Sequence, residues 1–164
     1  MEGLIHYIYI FTKAYDQQKE IFQPFFINFA NMNREETKIE ITLTLERIVG
    51  TSLPDGFGEP FTTVFDRFYP GRNDETVAAG LICSLFLSCI LTGFPNTKMH
   101  TFVHYANENY GRFSFNCKMY ETIYEKMESD SLSSIALLDY NGQAHSKKCD
   151  KKDIFEAFDF YTNR

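Results

Sequence analysis

Residues 60–91 read PFTTVFDRFYPGRNDETVAAGLICSLFLSCIL, and this stretch decides the fold. Its first part places four apolar side chains at helical spacing, at positions i, i+3, i+4 and i+7. These four residues are Phe61, Val64, Phe65 and Phe68. Pro60 suits the first turn of such a helix, and Pro70 with Gly71 ends it. The sequence therefore predicts a short amphipathic helix followed by a tight turn.

A second helix is predicted directly after this turn, with Asn73 or Asp74 as its N-cap. Residues 77–91 include no charged side chain, and Gly93 and Pro95 end the segment. A helix that is apolar on every face belongs in the middle of a bundle. A membrane-spanning helix is the rival interpretation, but the strongly apolar part covers only about 15 residues, against about 20 for a bilayer.

Other stretches with helical spacing lie on both sides of this pair: residues 4–23, 33–49, 99–106, 115–127, 132–138 and 154–161. Asn33 is the predicted N-cap of the second stretch, and Glu36 completes a capping box. Residues 39–45 also alternate between apolar and polar side chains, so a strand remains open there. The predicted fold class is all-α. Residues 1–164 form one domain, a bundle of seven or eight helices around a central apolar helix.

Charge and cysteine content restrict the environment. The chain has 16 basic and 22 acidic residues, and a net charge of −6 disfavours binding to nucleic acids and anionic membranes. The four cysteines lack metal-ligand spacing and are expected to be buried, reduced thiols. The first residues lack the basic segment and cleavage site of a signal peptide, so the chain is expected in the cytoplasm.

Recognisable catalytic patterns are missing from the sequence. His100 and His104 stand four residues apart on a predicted helix, but no third zinc ligand is indicated, so both are expected on the surface. The chain has no nucleophile elbow and no phosphate-binding Gly-x-x-x-x-Gly-Lys loop. We therefore expect no metal, no cofactor and no enzyme activity, and a function in binding another protein.

Residues 60–91 resemble the first homology region of the B-cell-lymphoma-two (Bcl) family of apoptosis regulators. In that family a short helix with Phe-x-x-Val spacing ends in a Phe and a Gly turn, which opens a buried central helix. The matching residues are Phe61, Val64, Phe68, Gly71, Leu81, Ile82 and Leu85. Residues 138–142, before Phe155, resemble the second homology region. The Asn-Trp-Gly-Arg signature and a C-terminal hydrophobic anchor are absent, as in the divergent copies that large DNA viruses carry.

The resemblance implies a Bcl-like bundle whose hydrophobic groove holds the amphipathic death-ligand helix of a pro-apoptotic partner. Sequestering that partner would inhibit apoptosis, in the host-cell cytoplasm and at mitochondria reached through partners. The implied groove residues are Ile48, Leu53, Phe57, Phe61, Val64, Phe65, Phe68, Arg72, Cys83 and Leu87. Among them, Arg72 is the candidate replacement for the family arginine.

Two alternative functions and one hypothesis on the oligomeric state stay open at this point, and an enzyme of unfamiliar type is the remaining alternative. A viral adaptor with the same bundle would block immune signalling through an outer surface. A helical structural or assembly protein would share only the fold class. A homodimer would shield an exposed aromatic groove in a protein without a stable membrane anchor.

Overall fold

The computed structural model describes residues 34–129 and 134–163. The predicted helix over residues 4–23 and the Asn33 cap lie outside the described residues. The described helices are α1 (Arg34–Val49), α2 (Glu59–Phe68), α3 (Asn73–Thr92), α4 (Asn96–Asn109), α5 (Tyr120–Ser129) and α6 (Lys151–Thr162). A 3-10 turn at Cys117–Met119 precedes α5, and strands β1 (Ile135–Leu138) and β2 (Ala144–Lys147) form an antiparallel hairpin. The prediction of an all-α bundle is confirmed, with six helices in the described residues rather than seven or eight.

Helix α3 occupies the centre and packs against α1, α2, α4, α6 and β1. Its Ala79, Cys83 and Leu85 are completely buried. The helix begins at Asn73 after Arg72 as N-cap, so the prediction of Asn73 or Asp74 in that position is wrong. It ends at Gly93, as predicted, because the positive φ of 81° suits glycine.

The segment Asp74–Thr92 is long and apolar enough to cross a membrane by length and composition. However, 67% of the apolar stretch is buried inside the protein. A core helix surrounded by other helices has the same apolar composition. The segment is therefore weak evidence for a membrane span.

Helix α1 answers the question that the sequence left open for residues 39–45. The segment is helical, and Ile41, Leu45 and Val49 recur every four residues on its buried side. Of the alternating polar residues of this segment, Glu40, Thr42 and Glu46 are partly exposed, whereas Thr44 is buried beside the apolar residues. The helical interpretation of residues 33–49 is therefore confirmed for the described part.

Helices α2 and α3 cross at unusually short distance because glycine occupies the crossing point. A Cβ atom added to Gly80 would lie 2.1 Å from Oγ1 of Thr62 and 2.8 Å from the carbonyl oxygen of Gly58. Gly58 itself has a φ of 78° and accepts a hydrogen bond from the Thr62 amide at 3.0 Å. The crossing therefore depends on the missing side chain at Gly80.

The predicted short helix over residues 132–138 is wrong, because Ile135–Leu138 forms β1. Asn-Gly at residues 141–142 is a strong hairpin signal, and a period of two competes with a helical period in so short a segment. The hairpin is anchored on α3. The Leu138 amide donates to the Ser88 hydroxyl at 3.0 Å, and the Thr92 hydroxyl donates to the Leu138 carbonyl at 2.5 Å.

Candidate functional site

The aromatic stripe of α2 faces the core of the protein. Phe61, Val64 and Phe65 are each 0–1% exposed. The Phe65 ring lies 5.3 Å from that of Phe113 and 5.9 Å from that of Phe158, measured between centroids. Rings from α6 and from the segment before α5 therefore cover the side that the Bcl resemblance assigns to a ligand.

The remaining predicted groove residues do not form a shared open surface either. Phe57, Cys83 and Leu87 are buried, whereas Ile48, Leu53 and Phe68 are partly buried around the core. Arg72 is exposed, and its guanidinium lies 3.1 Å from the Glu75 carboxylate in the first turn of α3. Six of the ten predicted groove side chains are thus closed off from solvent by the fold itself.

The thiols and histidines follow the sequence expectations in part. All four cysteines are free thiols; Cys83 is buried, Cys89 and Cys149 are half-buried, and Cys117 is exposed. Burial raises the pKa of Cys89 to about 11, which keeps it protonated at neutral pH. His100 and His104 are exposed, as predicted. In residues 34–129 and 134–163, no group of three His, Cys, Asp or Glu side chains is placed to hold a metal.

A polar cluster that the sequence reasoning missed lies where α1 meets the beginning of α3. It comprises Glu40 of α1, Asp74 in the first turn of α3 and Tyr110 after α4. Together these residues are the α1 polar cluster. A separate ion pair joins the Lys38 ammonium to the Glu59 carboxylate at the start of α2. Since Lys38 and Glu40 are two residues apart, they lie on different sides of α1.

Glu40 is the most enclosed carboxyl group of the cluster. The Tyr110 hydroxyl donates to its Oε2 at 2.5 Å, and the two hydroxyls of Tyr105 and Tyr110 lie 3.2 Å apart. Burial raises the pKa of Glu40, and the negative charge of Asp74 raises it further, while the hydrogen bond from Tyr110 lowers it. The net effect is a pKa above the ordinary glutamate value, so Glu40 holds its proton more tightly than an exposed glutamate.

Asp74 forms the second carboxyl group of the pair. Desolvation raises its pKa, the Glu75 charge adds to the rise, and a hydrogen bond with the buried Thr37 hydroxyl lowers it. A further bond ties the same helical turn to α2, since the Thr76 hydroxyl donates to Asp66 at 2.5 Å. Two facing helices therefore hold the two carboxyl groups of Glu40 and Asp74 near each other.

Two interacting carboxyl groups with raised pKa values beside the Tyr110 hydroxyl are a candidate site for binding and proton transfer. Carboxylates tuned toward neutral pH serve as general acids and bases, and perturbed pKa values concentrate at functional sites. A hint of this cluster is present in α1, where Thr37, Glu40 and Thr44 recur at helical spacing beside the apolar residues. The partners Asp74 and Tyr110 come from distant segments, and the sequence gives no sign of them.

Comparison with known proteins gives one informative similarity. No family model matches the chain, and no solved structure matches it. The chain is 32% identical over 103 residues to the 3-dehydroquinate synthase of Parabacteroides distasonis. The matched region is 59% of this chain and 29% of that enzyme, so the chain spans under a third of the relative's length. The expectation that the chain is not an enzyme is contradicted by this similarity.

Proposed function

We propose that the chain is the helical part of an enzyme related to 3-dehydroquinate synthase. The observation that carries this proposal is the 32% identity over 103 residues to the synthase of Parabacteroides distasonis. Because the match spans 29% of that protein, the complete activity, its substrate and its partners belong to the proposal as well.

The α1 polar cluster is the proposed reactive face of this helical part. 3-Dehydroquinate is a cyclic carboxylate with hydroxyl groups, so a site for it needs a cation and hydrogen-bond acceptors. Glu40 with Asp74 supplies carboxyl oxygens beside the Tyr110 hydroxyl, and Lys38, which pairs with Glu59 on another side of α1, is the proposed cation. Because burial raises the pKa of Glu40, this carboxyl group is the proposed proton donor of the site.

Genetic complementation tests the proposed activity without assuming the substrate. The gene is expressed in a bacterial strain that lacks its own 3-dehydroquinate synthase, with the Parabacteroides distasonis enzyme as positive control. We expect restored growth together with 3-dehydroquinate in the cell extract. A soluble, folded product that restores neither, beside a working control, contradicts the proposal.

A second candidate function rests on the resemblance of residues 60–91 to the Bcl family. On this proposal a divergent viral protein sequesters the death-ligand helix of pro-apoptotic partners in the host cytoplasm and reaches mitochondria through them. The helical fold suits this function, and Phe68 is partly exposed beside the buried stripe. Because Phe61, Val64 and Phe65 are buried, ligand binding requires α2 to separate from the aromatic residues around it.

Titration with labelled death-ligand helices separates the second candidate from the first. Binding at micromolar concentration that Phe68→Asp weakens supports the groove, since this side chain is exposed enough to accept a charge without unfolding. The absence of any binding removes the apoptotic proposal and leaves the enzymatic proposal unaffected.

A further inference from the structure

One side of β2 has no neighbouring strand in the described part of the chain, where the sheet consists of β1 and β2 alone. The outer side of β1 is occupied, because Ser88 and Thr92 of α3 bond to the main chain of Leu138. In contrast, all four residues of β2 are exposed. The hairpin therefore presents a single open edge.

The hairpin hydrogen bonds determine which main-chain groups face this edge. Both the amide and the carbonyl of Leu138 bond to side chains of α3 and not to β2, so Leu138 and Ala144 are a non-hydrogen-bonded pair. Bonded and non-bonded pairs alternate along an antiparallel ladder. In the observed register, His145 and Lys147 therefore bond toward β1, while the N–H and C=O groups of Ala144 and Ser146 point outward.

Lysines are concentrated beside this open edge. Residues 144–152 read AHSKKCDKK, with four lysines and one acidic residue, in a chain whose net charge is −6. Lys151 pairs with Glu121 at 2.6 Å and Lys152 with Glu156 at 4.0 Å, so these two lysines are compensated. Lys147 and Lys148 are exposed at the end of β2 itself. The edge is therefore a local positive patch on an acidic protein.

We propose that the open edge of β2 binds an extended acidic segment of a partner protein as a third strand. Ala144 and Ser146 supply the main-chain hydrogen bonds, and Lys147 with Lys148 selects acidic side chains. Lysines on an edge strand oppose pairing with another positive edge, so a second copy of this hairpin is excluded by like-charge repulsion. The same lysines attract the side chains of an acidic strand. This inference is independent of the proposed enzymatic function.

Fluorescence anisotropy with the labelled peptide Glu-Val-Glu-Val-Glu-Val tests strand addition. The unmodified protein should bind it, more weakly as salt increases, and should not bind Lys-Val-Lys-Val-Lys-Val. Ser146→Pro removes an outward N–H and leaves the inward bonds of β2 in place, so binding should weaken about tenfold or more. Ser146→Ala keeps that N–H and should bind as the unmodified protein does.

A charge-reversed protein gives a second test that does not depend on proline. The double variant Lys147→Glu, Lys148→Glu should bind the acidic peptide with about tenfold lower affinity or weaker. It should also gain affinity for the lysine peptide. Far-ultraviolet circular dichroism verifies that each variant is folded. If Ser146→Pro binds the acidic peptide as tightly as the unmodified protein, the edge is only a charged surface and the proposal is overturned. Failure of the unmodified protein to bind the peptide overturns it equally.

Discussion

The raised pKa of Glu40 comes from the fold and not from the residues next to it in the sequence. On α1 alone it is an ordinary helix-surface glutamate, but α3 and α4 enclose it between Asp74 and Tyr110. Removing the carboxylate from water disfavours its charged form, and a nearby negative charge adds to this effect. The candidate site therefore arises at the level of single residues brought together from separate helices.

The pKa of Glu40 should respond in opposite directions to two neighbouring substitutions. Asp74→Asn removes a negative charge and should lower this pKa, whereas Tyr110→Phe removes a bond to the charged form and should raise it. The carboxyl carbon signal of Glu40, followed by NMR across a pH titration, measures both changes. Tyr124→Phe is the matched control, because Tyr124 bonds to Glu128 at a remote exposed site. Shifts in the same direction for Asp74→Asn and Tyr110→Phe would refute the pairwise description.

Arg72 is a residue whose partner is local in sequence, in contrast to Glu40. The Bcl resemblance assigns it to a ligand carboxylate, whereas its guanidinium lies beside Glu75 three residues further along the chain. Such a local i, i+3 pair is visible in the sequence once the helix start is known. The predicted N-cap, Asn73 or Asp74, lies one or two residues after the observed one, Arg72.

At the scale of elements, helical spacing located most of the described helices. Regular recurrence of apolar residues marked α2, α4 and α6, and Gly93 marked the end of α3. Ile135–Leu138 is a strand where a helix was predicted, because four residues fit a helical period and a strand period equally well. The helix predicted over residues 115–127 also begins too early. Phe115 is buried, but it lies in the loop that precedes α5. Short segments are decided by tertiary packing, which the sequence pattern does not contain.

The close α2–α3 crossing predicts that replacing Gly80 with alanine destabilises the protein, which is the opposite of the usual effect in a helix. Gly→Ala inside a helix usually stabilises a protein by about 0.5–1 kcal/mol. At Gly80 the added methyl would overlap Thr62 and the main chain of Gly58, so Gly80→Ala should instead destabilise by about 1–3 kcal/mol. Urea denaturation followed by circular dichroism measures the change.

A second substitution locates the cause of that destabilisation. Thr62→Ala removes the side-chain oxygen that lies 2.1 Å from the added methyl, so it should recover part of the loss in the double variant. The carbonyl oxygen of Gly58 remains 2.8 Å away, so recovery should be incomplete. Strictly additive effects would mean that the two residues do not meet as described.

At the scale of the whole molecule, the aromatic residues around Phe65 in the described part of the chain form a core rather than a groove. The 17 Phe and 10 Tyr of the chain suit either interpretation from composition alone. The fold decides between them, because Phe65 contacts rings of Phe113, Phe115, Phe158 and Tyr161 from later segments. An aromatic stripe on one helix predicts burial but not what covers it. For the same reason, the fold class was predictable whereas the α1 polar cluster was not.

The burial of Phe65 and the partial exposure of Phe68 predict how much two similar substitutions on α2 lower the free energy of unfolding. Phe65→Ala should reduce the free energy of unfolding by about 3–5 kcal/mol, because a fully buried ring is lost and a cavity remains. Phe68→Ala, one turn further along at a partly exposed site, should cost under about 2 kcal/mol. Denaturant titration of both variants provides the comparison. Equal and small losses would place the stripe on an open surface, as the groove hypothesis requires.

The central claim is that the α1 polar cluster binds the product class of the related synthase. Titration of the protein with 3-dehydroquinate, followed by NMR of the backbone amides, tests it most directly. We predict saturable shifts at Lys38 and Glu40, with affinity reduced about tenfold in Lys38→Met and in Glu40→Gln. Glu121→Gln, which breaks the distant pair with Lys151, should bind as the unmodified protein does. If no saturable shift occurs, or if all variants bind alike, the cluster is not the ligand site and the account is contradicted.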